Sequence, residues 1–558
     1  MRNIFTLTIV LLFALGSALQ AQFRYIEPIF SQTEITTDTF GSNIDPYNLQ
    51  LVVAGVPEAL APINRPLPMD VYEPLGDTVS LRPVVVIYHG GNFLPQFVNN
   101  SILGTRKDSS VVEFMHRFAE RGYVGIAASN RVGWDPTAPD PDVRTSTLLQ
   151  AAYRGGQDGH MMARYLRKTV VEEGNPYRID TSRIVFMGLG TGGYLVMTHA
   201  FLDSIPEILA DDRFYDLNDN PYVVEAFNAD PQGTLPANFP PQLGGSVSNI
   251  PNHLGYNSSV AMSINVGGAL GDLDWMQGKA SEPLTVAVHD LLDPDAPFSF
   301  GNVIVPTTEE LVITGASGSE QIIKTANELG INDALNSANS TSLSGIFGEL
   351  ARELNVRREG RKTDTIDPDP NNITGFPEFA LSHDNLLTIV REDSLSGLYN
   401  WGEETAIRTA VATYNALPLG PDRDADDIIA RAADGNPNAY NAASARLMVD
   451  TVMAHLLPRM YIGLDLEEAV GTNDIVPAAN IGLEVFPNPT AEGFTVRTEA
   501  EHKIRSLHIL DFNGRTVATY PSINQSTFRI ERGNLPRGNY ILRLQLDEGV
   551  AAHKLVVH

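Results

Sequence analysis

Arg183-Ile184-Val185-Phe186-Met187-Gly188-Leu189-Gly190-Thr191-Gly192-Gly193 is the stretch on which the reading of this chain turns. Ile184 to Met187 is an unbroken apolar run, the mark of a strand covered on both faces. Four glycines then crowd a sharp turn, and Thr191 to Phe201 resumes at helical spacing.

The same alternation extends on both sides. Pro83 to Tyr88 is another continuous apolar run, Ser110 to Arg121 has a helical pattern, and Val124 to Ala128 reads as a strand. Thr145 to Lys168 has helical spacing, and Val260–Val266 and Leu284–Val288 are later strands. This order predicts an α/β protein with a doubly wound, mostly parallel sheet. Three strand ends could carry chemistry. Pro83–Tyr88 ends in His89-Gly90-Gly91, whose glycines expose the backbone N–H groups an oxyanion hole needs. Arg183–Met187 ends in the glycine turn, and Leu284–Val288 ends in His289-Asp290-Leu291-Leu292-Asp293-Pro294-Asp295.

Further phrases are Met69-Asp70-Val71-Tyr72-Glu73-Pro74, Phe118-Ala119-Glu120-Arg121-Gly122-Tyr123-Val124, and Tyr153-Arg154 followed by Gln157-Asp158. With these and the spacing, residues 65–300 resemble the α/β-hydrolase superfamily, on its carboxylesterase and acetyl-xylan or feruloyl esterase side. The family's elbow is Gly-x-Ser-x-Gly, with the nucleophile on a strained turn. Here Gly188 stands first, Gly192 last, and Gly190 where the Ser belongs. Glycine takes the elbow's positive φ freely, so the turn is kept and the hydroxyl is lost. No acyl-enzyme can form at that position. Thr191, one residue on, corresponds to the oxyanion-hole N–H; its other reading is a helix N-cap or first-turn residue. As a nucleophile it needs a shifted frame, with Leu189 where a small residue belongs.

The family order of nucleophile, acid and His points to Asp293 in Asp293-Pro294-Asp295-Ala296-Pro297-Phe298, with Asp295 as the alternative acid and a loop-solvating role as the alternative function. The histidines between Asp293 and the C-terminal module are His383 and His455. His455 falls inside the helical run Ala442–Leu457. His383, in Phe379-Ala380-Leu381-Ser382-His383-Asp384-Asn385, reads as loop-to-helix and is the better base, a solvated residue near a helix cap being its other reading. The resemblance thus implies catalytic positions Gly190 (Ser absent), Asp293 and His383, and an oxyanion hole from Gly90, Gly91 and Thr191.

Two inserts interrupt this body. Residues 203–256, rich in Asp, Asn and Pro, read as a cap or loop over the sheet's C-terminal edge. Residues 317–370 hold helical stretches (Gln321–Leu329, Ser344–Leu354) and a basic patch, Arg357-Arg358 and Arg361-Lys362. That patch either meets an acidic or uronate-type ligand or is a solvated helix end. No cofactor and no metal are expected. Asp422-Arg423-Asp424-Ala425-Asp426-Asp427 and Asp216-Leu217-Asn218-Asp219-Asn220 lack the sixth-position Gly of an EF-hand loop. The GxGxxG spacing at 188–193 lacks an acidic residue at the end of a following strand.

Composition sets the class. The chain has 558 residues, 43% hydrophobic and 19% charged, enough for a large core and for two to four domains. With 39 basic and 67 acidic residues its charge is −28, which disfavours nucleic acid and anionic membrane surfaces. It has no Cys, hence no disulfide, thiolate site or Cys nucleophile. Met1-Arg2-Asn3, an apolar run from Ile4 to Leu15, and Gly16-Ser17-Ala18-Leu19-Gln20-Ala21 describe a signal peptide over residues 1–21. No later segment is apolar for eighteen residues, so no transmembrane segment is expected in the mature chain.

From Leu483 the pattern changes to short alternating runs, Leu483–Phe486, Gly493–Val496, Ser506–Leu510 and Tyr540–Leu544, separated by turn signals such as Asn488-Pro489 and Asn513-Gly514. These predict a small antiparallel β-sandwich. Residues 483–558 carry a net charge of +1, leaving −29 on the rest. Phe486-Pro487-Asn488-Pro489-Thr490, Asp511-Phe512-Asn513-Gly514-Arg515, Leu535-Pro536-Arg537-Gly538-Asn539-Tyr540 and Lys554-Leu555-Val556-Val557 resemble the C-terminal sorting domain of the type IX (Por) secretion system. The resemblance implies export across both membranes of a Gram-negative cell, the secretion machinery as partner, and removal or anchoring of this domain at the surface. An ordinary sugar-binding sandwich is the alternative, although the module has no Trp to stack on a sugar.

The expected layout is a signal peptide (1–21), an α/β-hydrolase-like body (22–470), a linker (471–482) and the sorting domain (483–558). The expected function is an exported, esterase-like protein, weak or inactive for want of the elbow Ser, whose pocket takes an ester or glycan ligand. Two other readings stand beside it: an active carboxylic-ester or acyl-polysaccharide hydrolase using Thr191 or a displaced Ser, and a surface binding protein for which the fold is scaffold.

Overall fold

The computed structural model describes residues 24–241, 245–304, 311–336, 338, 365–366, 376–391, 393, 395–466, 478–510, 516–520, 523–533, 535–546 and 549–558. The expected signal peptide, the helical stretch Ser344–Leu354, the basic patch at Arg357–Lys362 and the Asn513-Gly514 turn lie outside these residues. The chain divides into two compact units. One comprises Arg24–Asp77 and Leu81–Leu466, and the other carries Glu467–His558.

The larger unit is built on a ten-stranded sheet. Its strands are β1 (Thr33–Ile44), β2 (Asn64–Pro74), β3 (Arg82–Tyr88), β4 (Val124–Ala128), β5 (Ile179–Leu189), β6 (Met262–Val266), β7 (Leu284–Asp290), β8 (Glu378–His383) and β9 (Leu386–Val390). They lie in the order β1-β2-β4-β3-β5-β6-β7-β9-β8, with Thr365–Ile366 at the edge. β1 and β2 run antiparallel to their neighbours, and from β4 to β9 the pairing is parallel. A leading antiparallel pair, the β4-β3 exchange and a parallel continuation define the α/β-hydrolase architecture. β3, β4 and β6 are buried along their whole length, which is why β3 from Pro83 to Tyr88 reads as an unbroken apolar run.

Helices cover both faces. In α1 (Ser109–Ala119), Val111, Phe114, Met115 and Phe118 form one buried stripe at helical spacing. In α2 (Pro141–Glu172), Asp140 caps the N-terminus by accepting from the Asp142 N–H, and Pro141 occupies the first turn, where its missing donor costs nothing. α3 (Thr191–Phe201) follows the glycine turn, and α4 (Ser319–Glu328) packs beside β7.

One expectation is corrected here. His383 does not lie in a loop leading to a helix: it ends β8, and Asp384-Asn385 turns the chain back into β9, with Asn385 at φ 66°. Two apolar strands flanking an Asp-Asn pair are a hairpin signal, and the edge of the sheet supplies the partner that makes it one. Residues 203–256 pack in part against α2 and β1, while Arg213 reaches Asp272 in the loop after β6 (2.8 Å). Gln157 Nε2 donates to the Asn228 and Asp230 carbonyls (2.6 and 2.9 Å), Tyr153 Oη to Ala229 O (2.8 Å), and Asn43 to Asn249 (2.9 Å). Buried polar groups on α2 need partners, and this segment provides them.

The C-terminal unit has two antiparallel sheets. Glu484–Phe486, Gly493–Arg497 and Thr527–Glu531 form one, and Thr516–Tyr520, Ile504–Leu510, Gly538–Leu546 and Val550–Val557 the other. Alternate residues such as Phe494, Val496, Leu507, Ile509, Leu542 and Leu544 make its core, a small β-sandwich.

Candidate functional site

The glycine turn between β5 and α3 is an elbow. Gly190 sits at φ 54°, ψ −116°, a region open to glycine and strained for other residues. Its N–H donates to Val266 O (2.8 Å), and its carbonyl accepts from the Gly193 N–H (2.8 Å). The glycines around it answer to close packing. A Cβ on Gly188 would lie 1.9 Å from Gly192 O, and one on Gly192 would lie 2.2 Å from Tyr88 O. Gly190 is different, because a Cβ there finds Gly90 Cα at 3.7 Å as its nearest atom. The elbow has room for a side chain and carries none.

That room belongs to a cavity of about 320 Å³ at the ends of the parallel strands. Gly90, Gly91, Gly190 and Thr191 form its polar floor, and Phe93, Trp134, Leu148, Val303 and Ile313 give it apolar walls. Its cover comes from the loop after β3, the hairpin Phe300–Ile304/Leu311–Ser317 and the segment carrying Ile428, Arg431 and Ala439. Of these the sequence pointed only to the loop after β3, because no local pattern says which other loops converge on it.

The loop after β3 is tightly determined. Gly91 has φ 109°, and a Cβ on it would lie 2.5 Å from Gly104 Cα. The ring Nδ1 of His89 lies 2.7 Å from Gly90 O. Burial holds His89 neutral, with its pKa lowered to about 4, so Nδ1–H donates to that carbonyl. In a trans peptide the next N–H points the opposite way. Among the described residues no acceptor is found for the Gly91 or Thr191 N–H, as an oxyanion hole requires.

Asp293 follows β7 and is held on several sides. Its Oδ1 accepts from the N–H of Asp295 (2.8 Å) and of Ala296 (3.1 Å), and Ser396 Oγ lies 2.8 and 2.7 Å from its two carboxylate oxygens. Asp295 lines the cavity, and burial together with the Asp293 charge pushes its carboxyl up to about 7. Asp108, the residue before α1, lines the same cavity and is also pushed up to about 7 by burial, against hydrogen bonds from Gly104 and Thr105. Asp290 is paired with Arg391.

The candidate residues therefore come together unevenly. Gly90, Gly91, Gly190 and Thr191 share the cavity floor, and Asp293 stands at its margin through Ser396. His383 is not brought there. It ends β8 with Nε2 3.2 Å from Glu320 Oε1 on α4, and it does not line the cavity. His455 is buried within the helix Ala442–Gly463. Ser396 was missed, because a lone Ser in a polar loop carries no signal in sequence. Of the acidic stretches, Asp216 closes a turn with Asn218 and Asn220, and Asp424 caps the helix Ala425–Ala433.

Fold and site define an α/β-hydrolase-type body joined to a secretion module. Residues 484–558 match the family model described as the secretion system C-terminal sorting domain. This domain indicates type IX secretion to the cell surface or outside, and with it an interaction with that machinery. A comparison with curated proteins gives no match. Among solved structures, the chain is similar to the butyrate-bound thermophilic esterase 2 of the planctomycete Thermogutta terrifontis, at 17% identity and TM-score 0.24, covering 42% of this chain and 71% of that one. The native form of that esterase gives 15% identity and TM-score 0.24, over 50% and 76% of the two chains. MGS-M1, an α/β hydrolase from a Medee basin deep-sea metagenome library, gives 10% and 0.25, over 54% and 79%. The fold assignment rests on the strand order and not on these scores. Among the described residues, no helix is long and apolar enough to cross a membrane.

Proposed function

We propose that the protein is an exported, esterase-like α/β-hydrolase-fold protein that binds an ester or glycan fragment in its elbow cavity and turns it over weakly or not at all. The observation that carries this reading is Gly190: the elbow conformation is kept, its side-chain space is open to the cavity, and no hydroxyl fills it. The retained oxyanion donors and apolar walls support ligand binding, since they persist without the attacking group. A signal peptide at residues 1–21 and the sorting domain carry the protein across the two membranes in turn.

Thr191 also lines the cavity, so the test includes it. The purified full chain is assayed on short-chain nitrophenyl esters and acetylated glycans, beside Thr191→Val. Any turnover above the buffer rate is expected to be weak and the same in both proteins. Turnover by the unmodified chain that disappears in Thr191→Val would replace this reading with an active hydrolase.

A further inference from the structure

We infer that Ser396 stands where the general base of a hydrolytic site at this cavity would act, so that the site lacks its base as well as its nucleophile. The inference rests on the reading proposed above and deepens it. β9 lies parallel to β7 and beside it, pairing Leu386–Ile389 with Ala287–Asp290, so the loops after both strands emerge at the same end of the sheet. Asp293 comes from the first loop and Ser396 from the second. The floor between them is continuous: Gly190 N–H donates to Val266 O, Gly267 N–H donates to Val288 O (3.0 Å), and a Cβ on Gly267 would lie 3.4 Å from Asp293 Oδ2. Gly190, Gly267 and Ser396 all line the cavity.

Asp293 spends its backbone contacts on its own loop and directs its remaining capacity at one side chain, the Ser396 hydroxyl. A carboxylate that orients one cavity-facing side chain beside an elbow has the task of an acid orienting a base. A serine hydroxyl cannot take up a proton at neutral pH, whereas an imidazole can. The other histidines near the site do not stand in. His89 is committed to Gly90 O. His289 is buried, with Nδ1 2.6 Å from Ser319 Oγ and Nε2 3.3 Å from Ala296 O. His383 faces Glu320.

The test compares G190S, S396H and G190S/S396H in the full chain, using nitrophenyl butyrate turnover and labelling by a fluorophosphonate. In the double variant the introduced hydroxyl adds to the ester carbonyl carbon and its proton passes to the introduced imidazole. The bond between the acyl carbon and the alcohol oxygen then breaks, the carbonyl re-forms on the introduced hydroxyl's oxygen as an acyl ester, and the departing alcohol oxygen takes that proton. Water repeats the sequence and releases the acid. The double variant is expected to exceed G190S by about 100-fold or more, with a rate that climbs between about pH 5.5 and 7.5 as imidazole loses its proton. The inference is overturned if G190S alone comes within about threefold of the double variant. It is equally overturned if the double variant, with unchanged circular dichroism and melting, is no faster than G190S. Should S396H prevent folding, G190S/S396G with added imidazole takes its place: rescue supports the inference and no rescue overturns it. Turnover by the unmodified chain that disappears in Thr191→Val would instead overturn the proposed function.

Discussion

Gly190 and Gly192 lie two residues apart on one turn, and glycine stands at each for a different physical reason. At Gly192 the backbone of Tyr88 leaves no space for a Cβ, whereas at Gly190 the space is open and only the positive φ favours glycine. The first is a packing requirement of the fold, and the second leaves side-chain space open to the cavity. Asp295 shows how the cavity tunes a single group. Its carboxyl titrates at about 7 in the folded protein and at about 4 in an unfolded chain. The folded state therefore holds that proton more tightly. The stability this supplies is full below about pH 4 and is lost as pH rises through 7. Thermal unfolding followed from pH 5 to 8 should show a decline of roughly 1–3 kcal/mol that is smaller in Asp295→Asn. An equal decline in that variant would assign the effect elsewhere, Asp108 being the other cavity carboxyl with a raised pKa.

At the scale of elements, the cavity wall depends on how α2 holds the loop after β4. Arg131 and Asp158 are both fully buried. Arg131 gives its N–H and its Nε to the two oxygens of Asp158 (2.7 and 2.8 Å), and Arg154 reaches Gly133 O (2.6 Å), one residue before Trp134. Trp134 is fixed in turn by donating to Asn92 O (2.7 Å), which ties this loop to the one carrying Gly90 and Gly91. Removing one partner of a buried pair strands the other charge away from water. Asp158→Ala should therefore cost about 3–5 kcal/mol in urea unfolding, and replacing both residues by apolar ones of similar volume should cost much less. A loss under about 1 kcal/mol in the single variant would mean that water reaches Arg131.

Across the whole molecule, the two units differ in charge, layer architecture and core. The hydrophobic cluster of the C-terminal sandwich is drawn from Ile481 to Val557 and includes no residue of the hydrolase-type sheet. Deleting residues 484–558 should therefore leave the spectrum and melting of the larger unit intact while abolishing delivery to the surface or medium. Fractionation and immunoblotting would show the truncated protein held in the periplasm, and surface delivery without residues 484–558 would place the export signal elsewhere in the chain.

Periodicity and turn chemistry are local properties, and they were sufficient to read the parallel strands, the elbow and the alternating strands of the sandwich. β5 and its four-glycine turn are legible because a doubly covered strand must be apolar and the turn leaves no space for a Cβ at Gly188, Gly192 or Gly193 and holds Gly190 at positive φ. Asp293 stands just past a strand that was readable for the same reason. The side chain that meets its carboxylate was not legible. His383 attracted attention as a histidine in the right chain order, yet sheet pairing turned its segment into an edge hairpin and set it against Glu320. Ser396, 103 residues from Asp293 in sequence, meets it only because β9 docks beside β7. Local sequence determined which elements form and what stands on their ends. Which ends converge on one cavity was decided by strand order, a property of long-range pairing that no window of sequence contains.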